Sequence, residues 1–430
     1  MIQINVPCGK GFMKAGIPEK NFIGSFSASV PAAVAADEIL AVQNALDHPF
    51  DSAPLEELAA GADNAVIIAS DHTRPVPAKI LTTELLHRLR AGNKDLDITI
   101  LIATGCHRST TEKELISMFG EKIVAEEKIY IHDCDDEAML CDMGELPSGS
   151  SLRINKLAAE TDLLISEGFI EPHFFAGFSG GRKAILPGIS SRRTVMENHC
   201  AEFINSPYAR TGILENNPIH CDMAAAAGLA GLVFSLNVVL DSQKKIVAAY
   251  AGSPAAVLAE GAAFLDGHCR TDIPEADIVI TSNGGYPLDQ NVYQCVKSMS
   301  AGEVVCRDGG VIITVASCAD GHGGEGFYQT LKQSSSPGEL LRKISATPRK
   351  DTLPDQWQYQ ILARIMERFS VIIVSDTADQ EMIRDMKFLA ASTVDEALEM
   401  AFQITGREAG VAVIPDGVSV ITHKRRDGII

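Results

Sequence analysis

Seven short apolar runs constrain the architecture most: 65–69, 98–103, 163–166, 278–281, 311–316, 371–375 and 411–414. They are mostly β-branched, continuous rather than alternating, and bounded by turn residues. That is the pattern of parallel strands covered on both faces. Helical periodicity fills the intervals. Residues 78–90 carry apolar side chains at helical spacing after a proline-rich start, and 110–118 follow Ser109-Thr-Thr-Glu112, which reads as a capping box. Residues 253–265 and 394–402 repeat the pattern. Strand and helix in alternation imply an α/β fold, with mainly parallel sheets.

The chain has 430 residues, enough for two domains. The boundary is expected near residue 270, giving a first α/β domain over 1–270 and a second over 271–405. The segment from about 406 to 430 is expected to return to the first. No low-complexity linker intervenes, so the join is read as packed helix.

Composition narrows the function classes. The net charge of −19 argues against non-specific nucleic-acid binding and against docking on an anionic membrane surface. A local basic pocket for an anionic substrate remains compatible with it. The opening Met1-Ile-Gln-Ile-Asn-Val-Pro7 reads as a strand and lacks the basic flank of a signal peptide. No apolar run reaches the roughly 18 residues of a membrane span, since 224–240 is broken by Gly228, Gly231, Ser235 and Asn237. Ten cysteines fall without a CxxC pair or zinc-like spacing, as expected of reduced thiols in a cytoplasm. Cys106 stands out beside His107, although its first reading is a small buried filler.

Polar clusters follow five of the strands: Asp71-His-Thr-Arg74, Thr104-Gly-Cys-His107, Glu167 to His173, Ser282 to Pro287, and Ser317 to Gly324. Ligands in open α/β sheets bind at the carboxyl ends of strands, so these loops are candidate site loops. The loop Gly177-Phe-Ser179-Gly180-Gly181-Arg182-Lys183 resembles a phosphate loop but fails its spacing. Arg182 stands where the second glycine belongs, and Ala184 replaces the magnesium-binding hydroxyl. Nucleoside-triphosphate hydrolysis is therefore excluded. Exposed N–H groups and Lys183 could still hold an anion.

His72, His107, His173 and His199 lie in or near these loops. Imidazole can transfer protons near neutral pH or ligate a metal, and the residues alone leave both roles open. His199 sits in a helical-looking stretch, 194–200. Arg74, just past a strand end, can clamp a carboxylate or phosphate. Lys297 shares a helix face with Tyr293 and Gln294. The single tryptophan, Trp357, either packs or walls a pocket.

Taken together, Ser70-Asp-His-Thr-Arg-Pro-Val-Pro77, Ala103-Thr-Gly-Cys-His-Arg108, Glu171 to Lys183 with Pro187-Gly188, His199, Tyr293-Gln-Cys-Val-Lys297 and Trp357 resemble the nickel-pincer lactate racemase family. The likeness runs in order through nearly the whole chain. It implies two α/β domains with the active site in the cleft between them. It also implies an isomerase that racemises a small 2-hydroxy acid, lactate by default, through hydride transfer and a 2-oxo acid.

The implied cofactor is nickel held by pyridinium-3-thioamide-5-thiocarboxylic acid mononucleotide, which requires cofactor-biosynthesis proteins for maturation. By this resemblance His107 and His173 are the acid–base pair, and His199 is the nickel ligand. Lys183 carries the tether, with Asp71, Ser179, Gly180, Gly181, Tyr293 and Gln294 around the cofactor. Arg74, Lys297 and Trp357 meet the substrate.

Three readings compete with lactate. Longer or dicarboxylic 2-hydroxy acids would use the same chemistry. A nicotinamide-dependent dehydrogenase would need a GxGxxG turn after a strand and an acidic residue about 20 positions on, and none is convincingly placed. A non-catalytic sensor could keep the pocket, but intact His107 and His173 count against it.

Overall fold

The computed structural model describes residues 1–31 and 38–425. Two six-stranded sheets organise them. The strands used below are β1 (Ile2–Cys8), β2 (Gly11–Ile17), β3 (Phe22–Ser25), β4 (Asn64–Ser70), β5 (Asp97–Ala103), β6 (Lys128–Ile131) and β7 (Leu163–Phe169), followed by β8 (Leu232–Leu240), β9 (Ile246–Gly252), β10 (Ala276–Ser282), β11 (Cys306–Val315), β12 (Ser370–Val374), β13 (Leu389–Ala391) and β14 (Val411–Ile414). The helices that matter are α1 (Ala78–Gly92), α2 (Arg192–Asn198), α3 (Pro254–Cys269), α4 (Val292–Val305), α5 (Gln356–Arg368) and α6 (Val394–Thr405).

The first sheet runs β9-β8-β7-β4-β5-β6 and is parallel except for β9. The second runs β13-β12-β11-β10-β14-β3 and is parallel throughout. Continuous apolar runs became strands because both faces are covered: every residue of β7 and of β14 is buried. The α/β architecture with mainly parallel sheets is thus present.

The expected domain division needs correction at both ends. β14 lies inside the second sheet, between β10 and β3, rather than in the first domain. Its fully buried run requires neighbours on both sides. The amino-terminal hairpin β1–β2 also belongs to the second half, because Val6, Ala15 and Ile17 pack against Ile278, Ile280 and Val311. Gly16 N–H donates to Asp395 of α6 at 2.9 Å. Only the short strand Ile421–Lys424 turns back, pairing with Arg270–Ile273 and placing Ile421 beside Ile170 and Val257. Positions 426–430 of the expected returning segment lie outside the described residues.

Helix ends follow local hydrogen bonding. The helix expected over 110–118 spans Glu112–Phe119, with Thr111 as its cap. The capping box is Thr111 with Glu114, two residues beyond the one read from sequence, because Glu114 reaches back to the Thr111 N–H at 2.8 Å. The two halves share a core: Met196, Cys200 and Ile204 pack with Val296 and Ile361, and Gln360 donates to the Ala201 carbonyl at 2.8 Å. Among the described residues no helix is long and apolar enough to cross a membrane.

Candidate active site

A cavity of about 390 Å³ opens between the halves. Its walls include every residue to which the family resemblance gives a role: Asp71, Arg74, His107, His173, Ser179, Gly180, Gly181, Lys183, His199, Tyr293, Gln294, Lys297 and Trp357. His72 is not among them; its Nδ1 faces the Thr110 hydroxyl at 3.0 Å. The loops after β10 and β11 also stay out of the lining, contrary to expectation. They buttress α4 instead, with Val292 and Tyr293 N–H donating to the Gly321 and His322 carbonyls.

Asp71 directly follows β4 and is buried. It accepts from the Thr73 hydroxyl at 2.6 Å and from His107 Nδ1 at 2.8 Å. Burial opposes its ionisation, but the His107 hydrogen bond and charge outweigh it and hold the carboxyl below its usual range. Asp71, read as a cofactor residue, lines the cavity and is also placed to orient His107. With Nδ1–H given to Asp71, the His107 Nε2 keeps its lone pair for a proton. Gly105, at φ +54°, allows the tight turn that presents this ring.

His173 is arranged differently. Its Nδ1 accepts the Ala176 N–H at 3.2 Å, so the neutral ring carries its proton on Nε2, 3.4 Å from the Lys183 amine. That order requires a lone pair on Lys183 Nζ, hence a neutral amine. The electrostatics agree. Burial first, then Arg182 and Arg74, holds Lys183 well below the usual lysine range. Burial and the neighbouring cations likewise hold His173 neutral.

His199 closes α2 as its C-cap rather than lying within it. Its Nδ1 lies 3.0 Å from the Val195 carbonyl and so carries the proton, leaving Nε2 as donor atom. Burial pushes its pKa down to about 3. The ring is wedged between Phe175 and Trp357, at 5.2 and 5.0 Å between centroids.

The second half contributes α4 and α5. Asn291 caps α4 at 3.0 Å, aligning Tyr293, Gln294 and Lys297 with the cavity. Burial, then Arg74, lowers Lys297 to about 8. Tyr293 donates its hydroxyl to Asp355 at 2.9 Å, and Gln358 donates to the Tyr293 carbonyl.

Asp355 was missed by sequence reasoning; its signal was a Pro-Asp turn directly before a helix. Asn237 was missed as well, although it is a polar residue interrupting a buried strand; Glu167, read as the start of the third candidate loop, lies inside β7 instead. Glu167 is fully buried, accepts from Thr82 at 2.7 Å, and is pushed by burial up to about 8. Asn237 accepts the Gly181 N–H at 3.2 Å.

The lactate racemase N-terminal domain profile matches residues 8–212, and the lactate racemase C-terminal domain profile matches 271–422. This chain belongs to the lactate racemase family. It is 50% identical to the lactate racemase of Thermoanaerobacterium thermosaccharolyticum over 428 residues, covering 99% of this chain and 100% of the relative. It is also 50% identical to that of Lactiplantibacillus plantarum over 422 residues, 98% of this chain and 100% of the relative. The solved lactate racemase apoprotein from T. thermosaccharolyticum superposes with a TM-score of 0.96 at 50% identity, over 98% of this chain and 100% of that one. A Thermotoga maritima protein with a TM-score of 0.62 and 17% identity, covering 86% and 97%, shares the fold alone.

The side chains of this lactate racemase family member fit the cofactor implied by its motifs. His199 offers a neutral imidazole donor, and Lys183 a neutral amine able to form a covalent bond. A Cβ at Gly180 would come within 2.8 Å of both Asn237 Oδ1 and Ile170, so the chain turns there at φ +83° as only glycine readily can. Gln294 Oε1 and Asn237 Nδ2 are buried without a hydrogen-bond partner in the cavity wall. Ser179 fits less directly: its hydroxyl donates to the Phe169 carbonyl at 3.0 Å and accepts from Glu171 N–H at 2.9 Å, so it braces the loop.

Proposed function

We propose that this protein interconverts D- and L-lactate with a nickel-pincer nucleotide tethered at Lys183 and ligated by His199. When bound, pyridinium-3-thioamide-5-thiocarboxylic acid mononucleotide with nickel supplies a reversible acceptor for the substrate's α-hydrogen as hydride, which no side chain can supply. Arg74 and Lys297 clamp the substrate carboxylate from opposite halves of the cleft. His107 Nε2, steadied by Asp71, takes the hydroxyl proton in one substrate orientation. For the opposite orientation His173 must first release Nδ1 from the Ala176 N–H, because with Nε2 protonated neither ring nitrogen has a free lone pair; it then exchanges the proton after the 2-oxo acid turns within the cleft. Trp357 and Phe175 wall the site beside His199 and exclude water. Asp71, Ser179, Gly180, Gly181, Tyr293 and Gln294 shape the space for the nucleotide, and maturation proteins would deliver it.

The observation that carries this reading is the convergence of two differently oriented histidines, a neutral lysine and a neutral histidine donor on one cavity. All ten cysteines are unpaired, as suits residence in a reducing cytoplasm.

The test is chiral analysis of D-lactate, alongside longer and dicarboxylic 2-hydroxy acids. The protein is made in a nickel-supplied host that synthesises the cofactor, with His199→Ala as control. Racemisation of lactate, lost in the control, is expected. Turnover of another acid alone would move the substrate, and no turnover with nickel bound would sink the reading.

A further inference from the structure

β5 and β6 are adjacent parallel strands, in register with Ile102 opposite Ile131. The loops leaving them run side by side, and His132 N–H donates to the Ile102 carbonyl at 3.1 Å. One loop carries Cys106, which reaches the cavity wall immediately before His107. The other carries Cys134, which is buried. Thr104 donates its hydroxyl to the His132 carbonyl at 2.5 Å, so the two loops stay together past the strand ends, and each thiol acts directly on the ionisation of the other. Beside them, Arg192 holds both oxygens of Asp135, at 2.8 and 2.7 Å, and its charge acts on both sulfurs.

We propose that Cys106 and Cys134 are a modification site, forming a reversible disulfide under hydroperoxide that displaces His107. Its effect on activity rests on the role proposed for His107; the bond itself does not.

The shared proton supports this. The hydrogen bond from Cys106, and then Arg192, lowers the Cys134 thiol, while the same contact and burial raise Cys106. Despite burial and the Asp135 and Asp133 carboxylates, which oppose it, Cys134 is the sulfur of the pair that ionises more readily. A second close pair lacks these features. Cys295 and Cys318 lie 3.9 Å apart, but both are buried away from the cavity, and their contact and burial push Cys295 well up. Asp133, Cys134 and Asp135 cluster as metal ligands might, yet the Arg192 guanidinium already occupies both Asp135 oxygens.

In the reaction, the thiolate attacks one peroxide oxygen and the O–O bond breaks. This gives a sulfenic acid, and the released hydroxide or alkoxide takes up a proton. The second thiol attacks that sulfur, and its proton leaves with the hydroxyl as water. Two thiols lose two electrons and one hydroperoxide gains them. A dithiol reductant reverses the bond. Closing it draws Cys106 toward the β6 loop and pulls His107 from Asp71.

The experiment treats cofactor-loaded protein with hydrogen peroxide, alkylates the remaining thiols and maps disulfide-linked peptides by mass. A Cys106–Cys134 linkage is expected, with racemase activity falling about 10²-fold, as misplacement by an ångström can cost, and returning with dithiothreitol. Cys134→Ser should keep basal activity, form no linkage and resist the same dose; Cys106→Ser should also lack the linkage. Oxidation of other thiols with no Cys106–Cys134 peptide would overturn the proposal. So would parallel loss of activity in Cys134→Ser. The peptide map is repeated on cofactor-free protein, so it reads out even if lactate is not the substrate.

Discussion

At the carboxyl edge of the first sheet, the loops after β4, β5 and β7 bring Asp71, His107 and His173 to the cavity. At the same edge of the second sheet, the polar residues turn on the protein itself. Asp289 accepts from Gly9 N–H at 2.6 Å and from Ser317 N–H at 3.0 Å, and Ser282 donates to the Pro415 carbonyl at 2.6 Å. The second half reaches the site through helix faces, Tyr293 to Lys297 on α4 and Trp357 on α5. A strand-end position therefore makes a residue available for binding, and its hydrogen-bond partners decide whether it binds or braces.

The largest effect should come from the first half. Lys183→Ala is expected to abolish the covalent cofactor adduct, read by intact mass after cofactor loading. An adduct of unchanged size in this variant would place the tether elsewhere. His107→Ala and His173→Ala should each lower turnover by about 10²–10⁴-fold, the usual contribution of a positioned acid or base, while metal analysis finds nickel retained. If both lose nickel, their assignment as proton-transfer groups fails.

These first-half residues were legible because they come in dense runs of chemistry-bearing types after β-branched strands. The fold class was legible for the same reason: continuous buried strands have a composition of their own. Three things were hidden. The membership of β14 and of the amino-terminal hairpin depends on pairing across hundreds of residues, which no local pattern encodes. The bracing role of the loops after β10 and β11 depends on partners such as Gly9 that lie far away in sequence. The inequality of His107 and His173 depends on which ring nitrogen meets Asp71 or Ala176 N–H, a matter of angle rather than of residue type.

The second half should show its part through binding. Lys297, lowered to about 8 by burial and Arg74, is charged below that pH and loses its charge above it. KM for lactate should therefore rise as pH passes upward through 8, and Lys297→Ala should show a high KM without that rise. The same KM inflection in the variant would assign the titration to another group.

Glu167 tests the first half for stability. Its folded pKa is raised from 4.5 to about 8, so between those values the folded state binds more protons than the unfolded one, and stability falls as pH rises. At about 1.4 kcal/mol per unit, the loss reaches roughly 3–5 kcal/mol by pH 8. Glu167→Gln stays neutral and can still accept from Thr82, so its advantage in urea unfolding should grow from pH 5 to pH 7.5. A constant difference would mean that Glu167 is ionised at neutral pH.

The smallest effect separates bracing from binding directly. Asp289 is fully buried, and one of its carboxylate oxygens joins the hairpin tip to the loop after β11. Asp289→Asn keeps the shape, removes the charge and weakens both hydrogen bonds, for an expected loss of about 1–3 kcal/mol. Because the residue lies outside the cavity lining, KM for lactate should stay within about twofold of the parent, a shift of less than 0.5 kcal/mol. A large KM change at unchanged stability would mean that the carboxyl edge of the second sheet takes part in binding after all, and the contrast between the two edges would fall.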